Sequence, residues 1–136
     1  MILEYAKIRV DAMAPTRANP SDAGLDVYYS PKDLDWSGFL IDPGESKIIP
    51  TGLRFGVPHG FMLEVKNRSS VAAKRSLLVG ACVVDPGYDG ELFVNLHNVG
   101  KESQFIAAGD KIAQVVMIPV VHFRACESES GDLYNW

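Results

Sequence analysis

The sequence lacks the marks of several large protein classes. Its two cysteines, Cys82 and Cys126, are far apart and form no CxxC motif, which argues against a disulfide framework and a zinc site. We expect both to be small core side chains in a reducing compartment. No apolar run approaches the roughly 20 residues of a membrane span, and the start MILEYAKIRVD resembles neither a secretory signal nor a transit peptide. We therefore expect a soluble, cytoplasmic protein (in the host cell if viral) that is not secreted and binds no membrane.

The sequence also lacks a basic surplus. Its formal net charge is −4 at pH 7, and its isoelectric point is near 5.3. A nucleic acid polymer is bound largely through its phosphates by clustered Lys and Arg, so this balance argues against such a partner. Any phosphate-bearing ligand must instead be held by a few local cations or by a metal ion.

Long helical periodicity is absent as well. The best helical candidate is the short segment Ser69–Arg75, SSVAAKR. Alternation of apolar and polar residues, typical of strands with one buried face, runs through residues 6–10, 53–57, 61–66 and 92–97. Many short strands in a chain of 136 residues indicate one all-β domain spanning residues 1–136, built as a sandwich, jelly roll or barrel.

Turn signals separate these segments. Each combines residues suited to tight turns with a glycine that accepts positive φ, and they lie at residues 42–44, 58–60, 85–87 and 108–110. The third precedes the strand ELFVNLHN and places the carboxylate of Asp85 on a turn just ahead of Tyr88. A lone acid and an aromatic ring at the mouth of a half-buried strand call for a functional explanation.

Three polar segments are ambiguous when taken singly. Asn67-Arg68-Ser69-Ser70 opens the helical segment and is either an anion-binding start or a serine cap beside a solvated arginine. Residues 22–26, DAGLD, are either a functional segment or a plain turn into a strand. Gln114 interrupts an apolar strand running to Ile118, and a buried amide there must bond to the backbone or face a ligand.

The order of these segments is more specific than any one of them. APTR followed by DAGLDVY, then NRSSVAAK, then GACVVDPGYDGELFVNLHN, then GDKIAQVV, resembles motifs one to four of the trimeric dUTP pyrophosphatases, from about residue 14 to residue 121. Family members are jelly-roll, or distorted β-barrel, subunits that assemble as homotrimers with active sites where subunits meet. The resemblance implies a dUTP diphosphatase that yields dUMP and pyrophosphate, so limiting uracil in DNA and supplying dUMP for dTMP synthesis.

The resemblance also implies roles in the third motif. Asp85 matches the aspartate that deprotonates a water for attack on the α-phosphorus. Tyr88 matches the ring that packs against deoxyribose and leaves no room for a 2′-hydroxyl. The backbone from Val83 through Val84 to Asp85, and the strand edge near Phe93, match the main-chain groups that read uracil.

The other motifs imply a phosphate site. Arg68, Ser69 and Ser70 match the second motif, which holds the phosphates, and Gln114 matches the glutamine near the α-phosphate. Asp26 matches the aspartate that supports Arg68 and, through water, a magnesium ion. Mg²⁺ is expected on physical grounds too, because an acidic protein must neutralise a triphosphate of about four negative charges, and Mg²⁺ prefers phosphate oxygens and waters to an all-protein cage.

Two alternatives follow from departures in the pattern. Ser70 replaces the usual glycine of the second motif, and Arg-Ser-Ser also occurs in the related dCTP deaminases, so a deaminase or a bifunctional enzyme is one alternative. The strand position that carries the deaminase carboxylate corresponds to Asn95, and an amide cannot shuttle protons. The other alternative is a catalytically weak, nucleotide-binding or regulatory relative.

The fifth motif of the family, a glycine-rich arm that closes over the nucleotide, has no match here. After Gln114 the sequence continues through ESESGDLYNW. Either the arm is cut off from this sequence or closure is achieved otherwise, with Tyr134 or Trp136 as the stacking ring. The plainer interpretation of the tail is a frayed or interface-packed segment. Without an arm we expect weak dUTP binding and slow turnover.

Overall fold

The computed structural model describes residues 1–32 and 38–134. The strands are β1 (Glu4–Lys7), β2 (Leu25–Tyr28), β3 (Phe39–Ile41), β4 (Ser46–Pro50), β5 (Leu53–Gly56), β6 (Phe61–Lys66), β7 (Leu77–Val79), β8 (Val83–Val84), β9 (Phe93–Asn98), β10 (Gln104–Ile106) and β11 (Lys111–Pro119). The helix α1 covers Ser69–Arg75, as predicted. The all-β prediction with one short helix is thus confirmed for the described residues.

The strands pair into antiparallel sheets. The largest has the order β2-β11-β6-β8, and a second has the order β4-β9-β7. There are two smaller pairs, β1 with β5 and β3 with β10. Because β11 lies between β2 and β6, residues far apart in sequence become neighbours across the large sheet. That one domain spans residues 1–136 stays a prediction.

The period-two patterns place the core. In β9, Val94, Leu96 and Asn98 are buried while the alternate side chains are half-buried. The same alternation in β5 buries Leu53 and Phe55. The four predicted turn glycines, at positions 44, 60, 87 and 109, have φ values of 84°, 92°, 86° and 85°, in the left-handed region that favours glycine. Local sequence therefore sets most strand faces and turns.

The predicted N-terminal strand is too long. We expected residues 6–10 to alternate as a half-buried ribbon, but β1 ends at Lys7, and Ile8 and Val10 are 45% and 95% exposed. The amide of Ala12 donates to the carbonyl oxygen of Arg9, closing a turn that ends the ladder. The side chain of Arg9 turns inward instead, to an ion pair with Glu91.

The cysteine prediction also needs correction. Cys82 is half-buried and packs at the margin of the core, while Cys126 is exposed, so only the first resembles a core side chain. Both are free thiols. Across residues 1–32 and 38–134, no helix is both long and apolar enough to cross a membrane.

Asn98 anchors the loops at the end of β9 and gives a test of the fold. Its side chain is 1% exposed and donates to the carbonyl oxygens of Ile41 and Glu102 at 2.9 and 2.8 Å, while its oxygen accepts from the amide of Gly100 at 2.9 Å. Asn98→Ala removes the partner of two carbonyl oxygens and one backbone amide. We therefore expect the free energy of unfolding to fall by about 2–4 kcal/mol. Urea unfolding at fixed protein concentration measures it.

Asn19 provides the matched control. It is exposed, and its side-chain amide makes one weak contact with the carboxylate of Asp22 at 3.4 Å. Asn19→Ala should change the free energy of unfolding by less than about 0.5 kcal/mol. Equal losses in the two variants would show that Asn98 does not anchor the loops.

Candidate active site

The large sheet brings three of the predicted segments together. On the central strand β11, Gln114 faces Asp26 of β2 on one side and Lys66 of β6 on the other. Arg68 follows β6 by two residues and is the N-cap of α1. One end of the sheet thereby collects residues from the first, second and fourth motif-like segments.

Asp26 and Arg68 form an ion pair. The Nε of Arg68 donates to Oδ1 of Asp26 at 2.9 Å, and the side chains are 25% and 14% exposed. Lys111 brings a second cation, with its Nζ 3.6 Å from the other oxygen of Asp26. Within the described residues the two terminal nitrogens of Arg68 make no hydrogen bond, so they are available to an anion. Sequence reasoning paired Asp26 with Arg68 but missed Lys111.

Gln114 is half-buried, not buried as we expected, and its amide is satisfied. Nε2 donates to the carbonyl oxygen of Asn67 at 2.9 Å. A Cβ atom at position 24 would lie 2.5 Å from Oε1 of Gln114, so Gly24 leaves the space that this side chain occupies. The DAGLD segment is therefore a turn into β2 that also seats Gln114, a function of Gly24 that nothing in the local sequence signals.

The start of α1 differs from a serine cap. The N-cap residue is Arg68 in an extended conformation, without a side-chain capping bond. Ser69 and Ser70 are exposed on the first turn of the helix. The interpretation of this segment as a serine cap with a solvated arginine is thus wrong on both points.

The loop at residues 85–90, from the third motif-like segment, lies apart from Asp26 and Arg68 and forms one wall of a cavity. The amide of Tyr88 donates to the carbonyl oxygen of Asp85 at 3.2 Å, closing the turn whose glycine is Gly87. Asp85 is exposed, and its carboxylate makes no hydrogen bond or ion pair within residues 1–32 and 38–134. The Tyr88 ring is 46% exposed and donates its hydroxyl to the carbonyl oxygen of Glu91 at 2.8 Å.

A cavity of about 200 Å³ lies behind this wall. Its lining includes Val83, Val84, Asp85, Tyr88 and Phe93. Among residues 1–32 and 38–134, β8 is the last strand of its sheet and pairs only with β6, so its other edge has backbone groups free for a ligand. Val84 itself is 7% exposed, which limits it to a backbone contact.

The predicted residues thus form two groups in one chain. The cavity lining contains the third-motif residues but none of Asp26, Arg68, Ser69, Ser70 or Gln114. A larger cavity of about 420 Å³, lined by Arg17 and otherwise by apolar residues such as Leu25 and Phe61, contains none of the predicted residues. The smaller cavity is the better candidate for a ligand site, because a carboxylate, an aromatic ring and an open strand edge meet there.

The donor set bears on a metal. Among the described residues no group of three His, Cys, Asp or Glu side chains is arranged to hold an ion. Asp26 is already engaged by Arg68 and Lys111. This donor set would suit an ion held mainly by phosphate oxygens and waters, with no more than a water-mediated contact to protein carboxylates.

Of the two aromatic residues considered as the stacking ring in the C-terminal segment, the structure describes one. Tyr134 is 82% exposed with φ of 64°, and Trp136 lies outside the described residues. The proposed stacking ring therefore stays a prediction.

Comparisons with known proteins identify the family of the chain. The dUTPase family model matches residues 11–132. The chain is 40% identical over 108 residues to the deoxyuridine 5′-triphosphate nucleotidohydrolase of Gloeobacter violaceus, covering 78% of this chain and 71% of that protein. It is 38% identical over 116 residues to the mitochondrial enzyme of that name from Homo sapiens, covering 85% of this chain and 44% of that protein.

A solved structure supports the fold. The dUTPase from phage phi11 of S. aureus superposes with a TM-score of 0.87 at 22% identity, covering all of both chains. This likeness confirms the predicted jelly-roll architecture. With the family match over most of its length, the chain belongs to the dUTPase family.

Proposed function

We propose that this protein is a dUTP diphosphatase, a hydrolase that converts dUTP to dUMP and pyrophosphate. The curated relatives carry that activity in their names, deoxyuridine 5′-triphosphate nucleotidohydrolase. The observation that carries the proposal is the unpaired, exposed carboxylate of Asp85 at the mouth of a cavity walled by Tyr88 and open strand edges. The proposed role is in nucleotide metabolism, limiting dUTP and supplying dUMP. The proposed location is the cytoplasm, which rests on the cysteine spacing in the sequence.

Asp85 acts as the general base. Its carboxylate takes a proton from a water, whose oxygen forms a bond to the α-phosphorus while the bond from that phosphorus to pyrophosphate breaks. Neither carboxylate oxygen is bonded within the described residues, so both can accept from water. The adjacent turn is fixed by the bond between the Tyr88 amide and the Asp85 carbonyl, which keeps the base in position.

The phosphates of dUTP bind to the other group of residues, around Arg68 and Asp26. The ion pair with Asp26 holds Arg68 by its Nε and leaves the two terminal nitrogens for phosphate oxygens. Ser69 and Ser70 offer hydroxyls from the first turn of α1, and Gln114 is bonded to the carbonyl oxygen of Asn67, the residue before Arg68. These hydrogen-bond donors stabilise the negative charge that develops on the phosphate oxygens while water attacks the α-phosphorus.

The nucleoside fills the cavity. Uracil bonds to the backbone of Val83 and Val84 and to the strand edge near Phe93, and the deoxyribose packs on the Tyr88 ring. A flat ring against the sugar leaves no room for a 2′-hydroxyl, which selects dUTP over UTP by shape.

Magnesium completes the charge balance. Mg²⁺, when bound, would supply positive charge to the triphosphate oxygens, and Asp26 would be the residue to hold it, through water. Support comes from the donor set described above and from a structural neighbour, a variant of the phage phi11 dUTPase described as coordinating a structural Mg(II) ion.

The protein acts as a homotrimer. The phosphate-binding group and the base-bearing cavity do not share a lining within one chain, and a second copy can supply the missing half. Closed cyclic assemblies are common among homo-oligomers. Of the alternatives, deamination is not favoured, because Asn95 carries an amide that bonds to the ring of His97 at 3.0 Å. A catalytically weak regulatory protein is not favoured by the relatives' names.

Replacing the base tests the chemistry. Asp85→Asn should lower kcat for dUTP by about 10²–10⁴-fold, because the amide cannot take a proton. Nucleotide affinity should persist, since the turn keeps its backbone bond. Pyrophosphate release measures the rate, and titration with a non-hydrolysable dUTP analogue measures binding.

Asp89→Asn is the matched control. Asp89 is an exposed carboxylate of the same loop, paired with Arg54 at the surface. Such a pair contributes little, so this variant should keep wild-type turnover. Normal activity in Asp85→Asn would refute the assignment of the base.

Mixing two inactive variants tests the shared site. Asp85→Asn and Arg68→Ala are refolded together in equal amounts, then assayed beside each variant alone. If base and phosphate clamp come from different subunits, random association restores about one quarter of the sites. If both come from one chain, the mixture stays as inactive as its parts, and light scattering reports the size of each assembly.

A further inference from the structure

The side chain of Tyr88 is folded back onto its own loop. The backbone amide of Tyr88 donates to the Asp85 carbonyl oxygen at 3.2 Å, and the side-chain hydroxyl donates to the Glu91 carbonyl oxygen at 2.8 Å. The residue is therefore held at both ends although 46% of its surface is exposed. An aromatic side chain on an exposed turn ordinarily samples several rotamers, so the loop itself must supply the restraint.

Gly90 makes room for this arrangement. A Cβ atom at position 90 would lie 2.6 Å from the hydroxyl oxygen of Tyr88, 2.7 Å from Cζ and 3.0 Å from Cε1. These distances are well below van der Waals contact. The φ of Gly90 is not in the left-handed region, unlike that of Gly87, so space rather than backbone conformation requires glycine here. Any other residue would push the Tyr88 ring aside while the backbone stays in place.

Glu91 supplies the fixed acceptor. Its carboxylate accepts from both terminal nitrogens of Arg9, at 3.2 and 3.3 Å, and from the amide of Gly52 at 3.1 Å. The ion pair is mostly buried, with side chains 17% and 10% exposed, and Arg9 also donates to the carbonyl oxygen of Ser30 at 2.6 Å. Charged hydrogen bonds of this kind are stronger than neutral ones. The Glu91 carbonyl is thus held against the core, and the Tyr88 hydroxyl with it.

We propose that Gly90 and Glu91 are positioning residues for sugar selection, which they exert only by holding the Tyr88 ring in its folded-back orientation. The proposal rests on the function proposed above for Tyr88. Excluding a single hydroxyl group by shape requires a surface that does not yield, because a mobile ring would move aside for ribose. Gly90 removes the obstacle, and Glu91 anchors the ring.

The principal test is Gly90→Ala, compared with Gly56→Ala. A Cβ at position 56 would meet its nearest neighbour, the Glu4 carbonyl oxygen, at an ordinary 3.8 Å, and Gly56 also lacks positive φ. The readout is kcat/KM for dUTP divided by that for UTP. We expect Gly90→Ala to lower this ratio about tenfold and Gly56→Ala to leave it unchanged. A loss of folded protein alone would lower both activities together and keep the ratio.

A double-mutant cycle tests whether Gly90 influences sugar selection through Tyr88. If Gly90 acts through Tyr88, the variant Gly90→Ala with Tyr88→Ala should have the same ratio as Tyr88→Ala alone. A further fall in the double variant would overturn the proposal, because Gly90 would then influence selection by another route.

Two milder variants cover a failure of Gly90→Ala to fold. Tyr88→Phe removes only the hydroxyl, and Glu91→Gln weakens the anchor by removing its charge. Each should lower the ratio about two- to fivefold, less than Tyr88→Ala, while Asp89→Asn should not. An unchanged ratio in Tyr88→Phe and Glu91→Gln would overturn the proposal. If Tyr88→Ala changes the ratio and these do not, only the positioning role fails; if Tyr88→Ala itself does not, the sugar-selecting function of Tyr88 fails with it.

Discussion

The pairing of β11 with two neighbouring strands is the constraint on which the proposed phosphate-binding residues Asp26, Arg68 and Gln114 depend. Because β11 hydrogen-bonds to β2 on one side and β6 on the other, Gln114 is placed opposite Asp26 and beside the end of β6. Arg68 leaves β6 two residues later and reaches back to Asp26. A slip of one residue in either register would turn these side chains to the opposite face of the sheet. The site therefore relies first on backbone hydrogen bonds and only then on charge.

The second group depends on a different restraint. The cavity lies where β8, an edge strand, meets the loop before β9. Its wall is held by the buried pair of Arg9 and Glu91, which joins two segments distant in sequence. Removing either partner would leave a buried charge uncompensated, a larger penalty than losing a surface pair. The two groups thus have separate structural supports, which suits a site completed by a second chain.

Much of the fold could be predicted because it is encoded locally. Alternation located β5, β6 and β9, and turn glycines and α1 followed from short-range rules. The failures arose where tertiary contacts prevailed. The side chain of Arg9 turns inward to Glu91 where the strand had been expected to continue through Val10, and Gln114 is half-buried instead of buried. Its bond to the Asn67 carbonyl is one of the two outcomes expected for this amide. The roles proposed for the site residues rest on the order of the motifs in the sequence. The space left by Gly24 and Gly90 for side chains could be found only from coordinates.

The central position of β11 also determines when the protein can fold. Its partners β2 and β6 are synthesised long before it, and neither can complete the large sheet until residues 111–119 have left the ribosome. Folds dominated by such distant pairings form slowly, because loop closure must precede the contacts that reward it. During that interval the unpaired edges of β2 and β6 are exposed and prone to pair with other chains. Premature termination before β11 should therefore yield a polypeptide that aggregates.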